Sequence, residues 1–591
     1  MVFVRRYALR DLEGRLREFT PEQMWERVSA FVARAEGDRE KWRARFRQLL
    51  EGFRFVPGGR ILFGAGNPRR VTLFNCYYVP IREDSIFGIT RWMAEAARTY
   101  AAGGGVGTNV DVLRPRGTAT GSAGLVASGP VSFMEVFSAL TGVMGSAEGR
   151  RGALMMTLRA DHPDVLEFVA AKSDPQRTRL QHANVSLRVP DRFFEVLDAD
   201  GELRLWFRTP RELVERKVPA RAVWEAVVEA AWASAEPGLL FWDTVTREAT
   251  AQYGGLEVEG VNVCGEVPME PYGACNLGSL NLAAFVQDPF GPHAQVDWAA
   301  LEETAGLAVR FLDNVVTVGA TRHPLRAQRR ASERSRRVGL GVMGVADALA
   351  MLGVRYGSEE SVRWVEDCLR RVRDAAYAAS VELARERGPF PVFDARNHER
   401  SPFIQRLPDH LRRALRRWGL RNAALLAIAP TGSISLLAGV SSGIEPIFGL
   451  RYTRLVGGVR HPAEHPLLAA YRNRTGRQDA DWPTAHQVDP LRRVRMQAAA
   501  QRYVDQSISS TVNLPASAGR DVVERVYRSA WELGCKGITV FREGSRAAVL
   551  DAATTSPVAV CTLCEPGSGS GDRTEPGYRR AVCGQRDARP T

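Results

Sequence analysis

The first 55 residues carry apolar side chains at helical spacing, with many charged residues between them. The recurring apolar positions are Leu12, Leu16, Phe19, Met24, Val28, Phe31 and Val32. Apolar residues three or four positions apart are typical of amphipathic helices. The pattern therefore predicts an N-terminal helical region over residues 1–55, which caps the segment that follows.

Beyond residue 56 the pattern changes to short apolar runs that alternate with helical segments. We predict strands over residues 73–80, 153–158, 184–189 and 423–428, and helices over residues 87–102 and 165–171. Strands that alternate with helices in this way indicate an α/β architecture, which we assign to residues 56–546. His162 suggests a metal ligand, but within Asp161–Asp164 we favour a capping turn for the helix that follows.

Residues 547–591 are rich in Gly, Pro, Ser and Arg, a composition typical of a flexible tail. This tail nevertheless contains Cys561 and Cys564 as a Cys-x-x-Cys pair, and the single Cys583. Three interpretations stay open, namely a thiol–disulfide shuttle, a metal knuckle and an inert tail. We favour the shuttle, because a four-cysteine zinc site needs a second pair.

The composition is that of a globular protein, with 45% hydrophobic and 25% charged residues among 591. No apolar run approaches the roughly 20 residues that a membrane span needs, and the start has no apolar segment of signal-peptide length. We therefore expect a cytoplasmic enzyme.

The net charge is +13, and only four of the 80 basic residues are lysine. The basic residues are scattered and do not form one basic arm. This distribution favours a solvated surface and anionic small-molecule substrates over nucleic acid.

The segment Asn262–Glu266 offers three different chemical groups at alternate positions. If its backbone is extended, the amide of Asn262, the thiol of Cys264 and the carboxylate of Glu266 share one face. Cys275 follows Cys264 after eleven residues. Local spacing alone leaves Cys264 open as a nucleophile, a metal ligand or a redox group, whereas Cys368 and Cys535 are predicted to be packing thiols.

Two segments rich in small residues have more than one interpretation. The run Gly103–Gly107 ends the helix predicted over residues 87–102, either as a tight turn or as a place where the backbone closely approaches a ligand. The turn Pro430–Ser435 follows the strand predicted over residues 423–428. Its backbone N–H groups are suited to an anion, although a plain helix N-cap is the alternative.

Several blocks in order along the chain resemble the class II ribonucleotide reductases, which depend on adenosylcobalamin. The resemblance covers residues 55–546 and the cysteine tail. The matching blocks are Pro57–Arg60, Asn75–Tyr77, Gly103–Gly107, Asn262–Glu266, Cys275–Leu277, Gly339–Gly344, Pro430–Ser435 and Gly534–Arg542. This resemblance implies a ten-stranded α/β barrel that reduces ribonucleotides, expected to be diphosphates, to 2′-deoxyribonucleotides. It also implies a cysteine radical on a loop inside the barrel.

The resemblance also implies roles for individual residues. Cys264 matches the thiyl radical that removes the ribose 3′ hydrogen, Glu266 the base at the 3′-hydroxyl, and Asn262 the amide that orients the substrate. Cys76 and Cys275 match the dithiol that reduces the sugar. The remaining matches are the substrate contacts Asn75, Gly104, Pro430, Thr431, Gly432, Ser433 and Ile434, and the tail pair Cys561 and Cys564, which re-reduces the disulfide.

The expected partners are a ribonucleotide substrate, a deoxynucleoside triphosphate effector, a thioredoxin-like reductant and a second copy of the chain. Effector loops are expected near residues 144–151 and 174–186, and no protein metal site, membrane or nucleic acid is expected. Val263 and Phe541 depart from the proline and tyrosine common in the family. Val540–Arg542 lacks the paired tyrosines of class I enzymes, which favours class II. A class I-like large subunit and a zinc- or nucleic-acid-binding protein remain the alternatives.

Overall fold

A computed structural model of the chain describes residues 2–121, 125–144, 152–173, 179–456, 459–545, 550–552 and 557–558. The predicted shuttle pair, Cys561 and Cys564, lies outside these residues, as does Cys583. Residues 145–151 and 174–178 of the two expected effector loops lie outside them too.

The N-terminal region is helical in part, with helices Val2–Arg6, Pro21–Val32 and Arg39–Leu50. The prediction was wrong between these helices, where Leu12 is 70% and Phe19 is 65% exposed. The Asp11 carboxylate accepts the backbone N–H of Arg15 at 2.8 Å. Because aspartate competes with the helical hydrogen-bond pattern in this way, the chain forms a turn here instead.

The main sheet has eight strands, and helices accompany it along the chain. In spatial order the strands are Ala274–Cys275, Cys76–Tyr78, Gly105–Asn109, Leu154–Arg159, Ala183–Val189, Gly238–Phe241, Gly537–Arg542 and Thr511–Leu514. The five strands from Cys76–Tyr78 to Gly238–Phe241 run parallel. The two last strands are parallel to each other but antiparallel to those five. The predicted strands 153–158 and 184–189 are confirmed, whereas the one over 73–80 is shortened to Cys76–Tyr78.

A second sheet contains Phe55–Pro57, Leu277–Asn281 and Gly339–Met343. The strand predicted over 423–428 is reduced to isolated bridges from Leu426 to Leu340 and from Ile428 to Ile508. The Asp505 carboxylate accepts the backbone N–H groups of Leu425 and Leu426, at 2.8 and 2.7 Å. The Asp505 side chain thus accepts two backbone N–H groups that would otherwise bond a neighbouring strand. Residues 423–428 therefore pair with their neighbours only at isolated bridges.

Other elements complete the α/β fold. The remaining helices are Gly59–Gly64, Ile86–Ala101, Pro130–Val143, Val165–Ala170, Asp191–Asp198, Ala220–Ser234, Trp242–Glu248, Thr250–Tyr253, Trp298–Gly319, Arg326–Ser335, Val345–Met351, Glu359–Arg387, Ala395–His398, Pro402–Gln405, Asp409–Trp418, Gly432–Ala438, Pro466–Thr475, Pro490–Gln501 and Arg520–Glu532. The remaining strand pairs are Glu202–Arg208 with Leu213–Pro219, Gly260–Val261 with Pro268–Met269, Val286–Gln287 with Gln295–Val296, and Arg451–Val456 with Val459–Glu464; Leu550–Ala552 and Pro557–Val558 extend the last of these.

Two smaller predictions are confirmed. The helices predicted over 87–102 and 165–171 are present. The capping prediction was wrong, because the His162 ring accepts the backbone N–H of Asp164 at 3.0 Å but the Asp164 side chain makes no cap bond to the helix Val165–Ala170. Cys368 and Cys535 are both buried in the core. Over the described ranges, none of the helices has the length and apolar character that a membrane crossing requires.

The glycine run Gly103–Gly107 enters the main sheet, because Gly105–Asn109 is a strand. A Cβ atom added to Gly107 would lie 1.8 Å from the carbonyl oxygen of Val261, and one added to Gly105 would lie 2.7 Å from the Val263 side chain. Close backbone approach is therefore the correct interpretation for these two glycines. The group that approaches Gly105 and Gly107 is a loop of the same chain.

We predict that Gly107→Ala destabilises the protein, because the added methyl group collides with backbone that has no rotamer to change. The expected loss in free energy of unfolding is about 3 kcal/mol or more. Denaturant unfolding of the two proteins measures it.

Gly37→Ala is the matched control, because Gly37 is exposed and an added Cβ meets no atom within 4 Å. Equal stability of the two alanine variants would contradict the close approach of the loop to the strand.

Candidate active site

Residues 262–267, called the cysteine loop below, connect the paired strands Gly260–Val261 and Pro268–Met269. The Asn262 backbone N–H donates to the Val267 carbonyl at 3.2 Å, and the Asn262 side-chain oxygen accepts the Val267 N–H at 3.0 Å. Gly265 adopts a left-handed φ of 80°. Our condition of an extended backbone is therefore wrong, because these bonds close the segment into a tight turn.

The turn brings Cys264 to the other two predicted cysteines. Cys76 and Cys275 are direct partners on neighbouring antiparallel strands. Both are buried in one small apolar cluster, and the half-buried Cys264 packs against it. The Asn262 amide nitrogen lies 3.9 Å from the Cys275 sulfur. None of the three forms a disulfide with a described residue, so the site contains a thiol pair with a third thiol beside it.

Gly105 explains how the cysteine loop reaches the thiol pair. The space that a Cβ on Gly105 would fill lies 3.2 Å from the Cys76 sulfur and 2.7 Å from the Val263 side chain. Val263 and Cys76 therefore meet over a strand position that has no side chain. The loop depends on this missing side chain to sit against the sheet.

Two buried carboxylates belong to this region. Glu266 is almost fully buried, and its backbone carbonyl accepts the N–H of Ser507 at 2.9 Å. Glu270 forms a buried ion pair with Arg337. Arg337 also donates to the Gln506 side chain at 3.2 Å. The charge of Glu270 is thus balanced by a guanidinium, and residues 506–507 support the cysteine loop from behind.

A buried lysine fixes the turn that carries this support. The Lys536 ammonium group donates to the carbonyl oxygens of Asp505 and Gln506, at 2.6 and 2.7 Å. Burial lowers the pKa of Lys536 from 10.5 to about 8, and the nearby Glu248 and Asp505 oppose this decrease. Lys536 therefore connects the strand Gly537–Arg542, which follows it directly, to the turn behind Glu266.

The predicted substrate contacts Asn75 and Gly104 flank Cys76. The Asn75 side-chain oxygen accepts the backbone N–H of Arg60 at 3.3 Å. A Cβ atom on Gly104 would lie 2.8 Å from the Tyr77 ring. The structure therefore places Asn75 beside the thiol pair and Gly104 at the start of the neighbouring strand.

The turn over residues 430–435 follows Ala429, which packs in the same cluster as the cysteines. Thr431 has a left-handed φ of 52°, and its hydroxyl accepts the N–H of Gly443 at 2.9 Å instead of capping the helix Gly432–Ala438. A plain N-cap is therefore wrong for Thr431. The side chain of Ile434 is buried. Ser433 is half-buried and hydrogen-bonds the Tyr7 hydroxyl.

Three residues near the site were missed by sequence reasoning. Arg60 is buried, and its guanidinium lies 2.6 Å from where a Gly103 Cβ would be. Its position in the Pro-Gly-Gly-Arg block was an available signal. Lys536 also had a signal, since a lysine is rare in this arginine-rich chain. Tyr7 had none, because its contact with Ser433 joins residues 426 positions apart.

The sequence matches two family models, described as "Ribonucleotide reductase, barrel domain" over residues 74–541 and "Ribonucleotide reductase, all-alpha domain" over residues 1–70. A vitamin B12-dependent ribonucleoside-diphosphate reductase of Mycobacterium tuberculosis is 40% identical, over 94% of this chain and 80% of the relative. One of Thermoplasma acidophilum is 36% identical, over 85% of this chain and 65% of the relative. A ribonucleoside-diphosphate reductase subunit alpha of Chlamydia muridarum is 26% identical, over 92% of this chain and 58% of the relative.

We predict that Lys536 makes stability depend on pH. Between pH 8 and 10.5 the unfolded chain keeps the lysine proton that the folded chain has lost, so stability increases with pH. The contribution is at most about 1.4 kcal/mol per pH unit, and it is lost as the pH falls through 8. Urea unfolding at pH 8 and 9.5 measures it.

Lys536→Met should remove this part of the dependence of the unfolding free energy on pH, because methionine keeps most of the aliphatic side chain of lysine and does not titrate. Lys217→Met, at an exposed position, should keep the slope of the wild type. If Lys536→Met also keeps that slope, the role of the buried ammonium group is refuted.

Proposed function

The chain belongs to the ribonucleotide reductase family, and on that premise we propose that it reduces ribonucleoside diphosphates to 2′-deoxyribonucleotides with adenosylcobalamin. One observation carries the proposal: Cys76, Cys264 and Cys275 converge on one buried cluster. The names of the relatives in Mycobacterium and Thermoplasma support the cofactor and the diphosphate.

The proposed reaction begins and ends at Cys264. As a thiyl radical it takes the hydrogen from the ribose 3′ carbon, and at the end its thiol returns a hydrogen. Glu266 takes the proton of the 3′-hydroxyl, while Asn262 orients the hydroxyl groups. The support is geometric, because the turn of the cysteine loop places Cys264 against the thiol cluster and the Asn262 amide 3.9 Å from the Cys275 sulfur. Glu266 is buried two residues after Cys264.

Cys76 and Cys275 are proposed as the reductant. Their two thiols lose two electrons and two protons and form one disulfide, while the 2′-hydroxyl leaves as water. Directly opposed residues on antiparallel strands have Cβ atoms about 4.5–5.5 Å apart, and a disulfide needs about 3.5–4.5 Å. A small shift of the strand Ala274–Cys275 is therefore enough to form the bond.

The donor groups of this site suit a cofactor that contains its own metal ligands. Among the residues that the structure describes, no three His, Cys, Asp or Glu side chains are grouped to hold a metal ion. Cobalamin carries its cobalt in a corrin ring and does not need such a group. When bound, it supplies the initial radical chemistry. The residue that must face it is Cys264, which is the one partly exposed cysteine of the three.

Substrate contacts are proposed for Asn75, Gly104 and the turn over residues 430–434, whose backbone and hydroxyl groups would hold the phosphates. We propose a ten-stranded barrel, in which the two sheets join through the bridges at Leu426 and Ile428. The hydrogen bond from Ser509 N–H to the Ile428 carbonyl supports this closure.

The proposed assembly is a cytoplasmic homodimer regulated by a deoxynucleoside triphosphate and re-reduced by a thioredoxin-like protein through Cys561 and Cys564. The proposed divisions are residues 1–55, 56–546 and 547–591. A class I-like large subunit would instead require a radical-generating partner. Phe541 is fully buried in a strand, where the paired tyrosines of such an enzyme would be expected, and this favours the cobalamin-dependent alternative.

We predict that the wild type forms 2′-deoxynucleotide from ribonucleoside diphosphate with adenosylcobalamin and dithiothreitol, and that Cys264→Ser forms none. A serine hydroxyl holds its hydrogen too strongly to replace the thiol as a hydrogen carrier. Product formation with each nucleotide and effector measures both.

Cys368→Ser is the control, because Cys368 is a buried residue of the helix Glu359–Arg387 and has no proposed role in the reaction. This variant should keep its activity. No product from the wild type under any nucleotide and effector would overturn the proposed function. Turnover by Cys264→Ser would overturn only the role of that thiol.

We predict that Cys561→Ser keeps its activity with dithiothreitol and loses it with a thioredoxin-like reductant. A small reductant reaches the disulfide directly, whereas a protein reductant needs the tail pair to carry electrons. Turnover with each reductant measures the difference. Equal loss with both reductants would contradict a shuttle, and zinc released by the substitution would instead indicate a metal knuckle.

A further inference from the structure

The N-terminal segment places an aromatic hydroxyl against the turn proposed for phosphate. Tyr7 is only 4% exposed, and its hydroxyl lies 2.5 Å from the Ser433 hydroxyl oxygen. The helix Val2–Arg6, which ends directly before Tyr7, packs against the helix Gly432–Ala438. Residues 426 positions apart along the chain thus meet at the turn.

Tyr7 is held by contacts on its other sides. A Cβ atom on Gly59 would lie 3.3 Å from the Tyr7 hydroxyl oxygen, so the phenol lies directly over this glycine. The Arg27 guanidinium donates to the Tyr7 carbonyl at 3.4 Å, and it pairs with Glu18 at 2.6 Å. Glu18 in turn accepts the Leu9 N–H at 2.9 Å. This buried ion pair fixes the backbone at the Tyr7 carbonyl and at Leu9, two residues later.

The same glycine segment touches a second predicted substrate contact. A Cβ atom on Gly58 would lie 3.1 Å from the Asn75 side-chain oxygen, and that oxygen accepts the Arg60 N–H. The Tyr7 hydroxyl therefore lies between Ser433 and the segment that positions Asn75. Arg6, the residue directly before Tyr7, adds positive charge. The Nη1 atom of Arg6 is buried and has no hydrogen-bond partner within the described ranges.

The two hydroxyl groups have one useful arrangement when a phosphate is present. Ser433 has a single hydroxyl proton, so it can donate either to Tyr7 or to a phosphate oxygen. If Tyr7 donates to Ser433, the serine proton is free for the phosphate. A donated bond from the phenol also polarises the serine hydroxyl and strengthens its own bond to the anion.

We propose that Tyr7 is a positioning residue for the phosphate end of the substrate, acting by its hydrogen bond to Ser433. The inference rests on the proposed function, because it assigns the turn over residues 430–434 to phosphate. It adds a residue from the N-terminal helical region to a site otherwise formed by residues 74–541.

The test is the affinity of the full chain for a ribonucleoside diphosphate, measured by titration calorimetry on the wild type, Tyr7→Phe, Ser433→Ala and the double variant. Phenylalanine keeps the ring over Gly59 and removes only the hydroxyl. Loss of one hydrogen bond should weaken binding roughly three- to tenfold. In the Ser433→Ala background Tyr7→Phe should cause no further loss, because the bond is already absent.

Steady-state kinetics provide the second measurement. Tyr7→Phe should raise KM by a similar factor and leave kcat unchanged, which a general loss of stability would not do. Tyr253→Phe is the matched control, because its exposed hydroxyl donates to the Arg247 carbonyl at 3.1 Å, and it should match the wild type in both measurements.

The outcomes separate the inference from the function it rests on. Unchanged affinity in Tyr7→Phe, or a further loss when it is added to Ser433→Ala, overturns the role of Tyr7 while the wild type still binds and turns over diphosphate. A wild type that neither binds nor reduces diphosphate overturns the proposed function itself. If Tyr7→Phe does not fold, Ser433→Thr should retain the affinity that Ser433→Ala loses, and equal losses in both overturn the inference.

Discussion

The site depends on a steric constraint between one strand and one loop. The strand Gly105–Asn109 lacks side chains at Gly105 and Gly107, and the residues around Val261 and Val263 occupy the space. Without that space the loop that carries Cys264 would stand away from the sheet that carries Cys76. A contact of this kind gains little free energy by itself, but it decides whether two reactive groups from distant parts of the chain can meet. The tight turn of the loop, closed by Asn262, then sets the direction of the cysteine side chain.

Polar groups buried behind the cysteine loop fix residues 423–428, a segment that has few hydrogen bonds to neighbouring strands. Asp505 accepts backbone donors from Leu425 and Leu426, and Lys536 donates to the backbone of the Asp505 turn. A buried ammonium group is unfavourable unless several oxygens surround it. The protein therefore spends part of its stability on fixing the wall of the site, as is common where function requires a defined position.

The sequence was a good guide to those parts of the fold that depend on local pattern. The strands Leu154–Arg159 and Ala183–Val189 and the helix Ile86–Ala101 follow directly from apolar runs and spacing. It failed where side chains compete with the backbone, as Asp11 does in the N-terminal region and Asp505 does beside residues 423–428. The three thiols were identified by resemblance to a family, but their convergence depends on strand pairing between residues about 200 positions apart. The contact of Tyr7 with Ser433 lies beyond any local pattern, since neither neighbourhood indicates the other.

The position of Cys275 has a mechanical consequence. The strand Ala274–Cys275 forms one edge of the main sheet, and Leu277–Asn281, the middle strand of the second sheet, follows after the single residue Asn276. Asn276 is itself anchored, because its side-chain amide donates to the Leu312 carbonyl at 2.8 Å. A covalent bond from Cys275 to Cys76 would therefore join the edge strand of the main sheet to its neighbour, one residue before the chain enters the second sheet. An enzyme that forms and breaks this bond in every cycle would alternate between a stiffer and a softer edge of the main sheet.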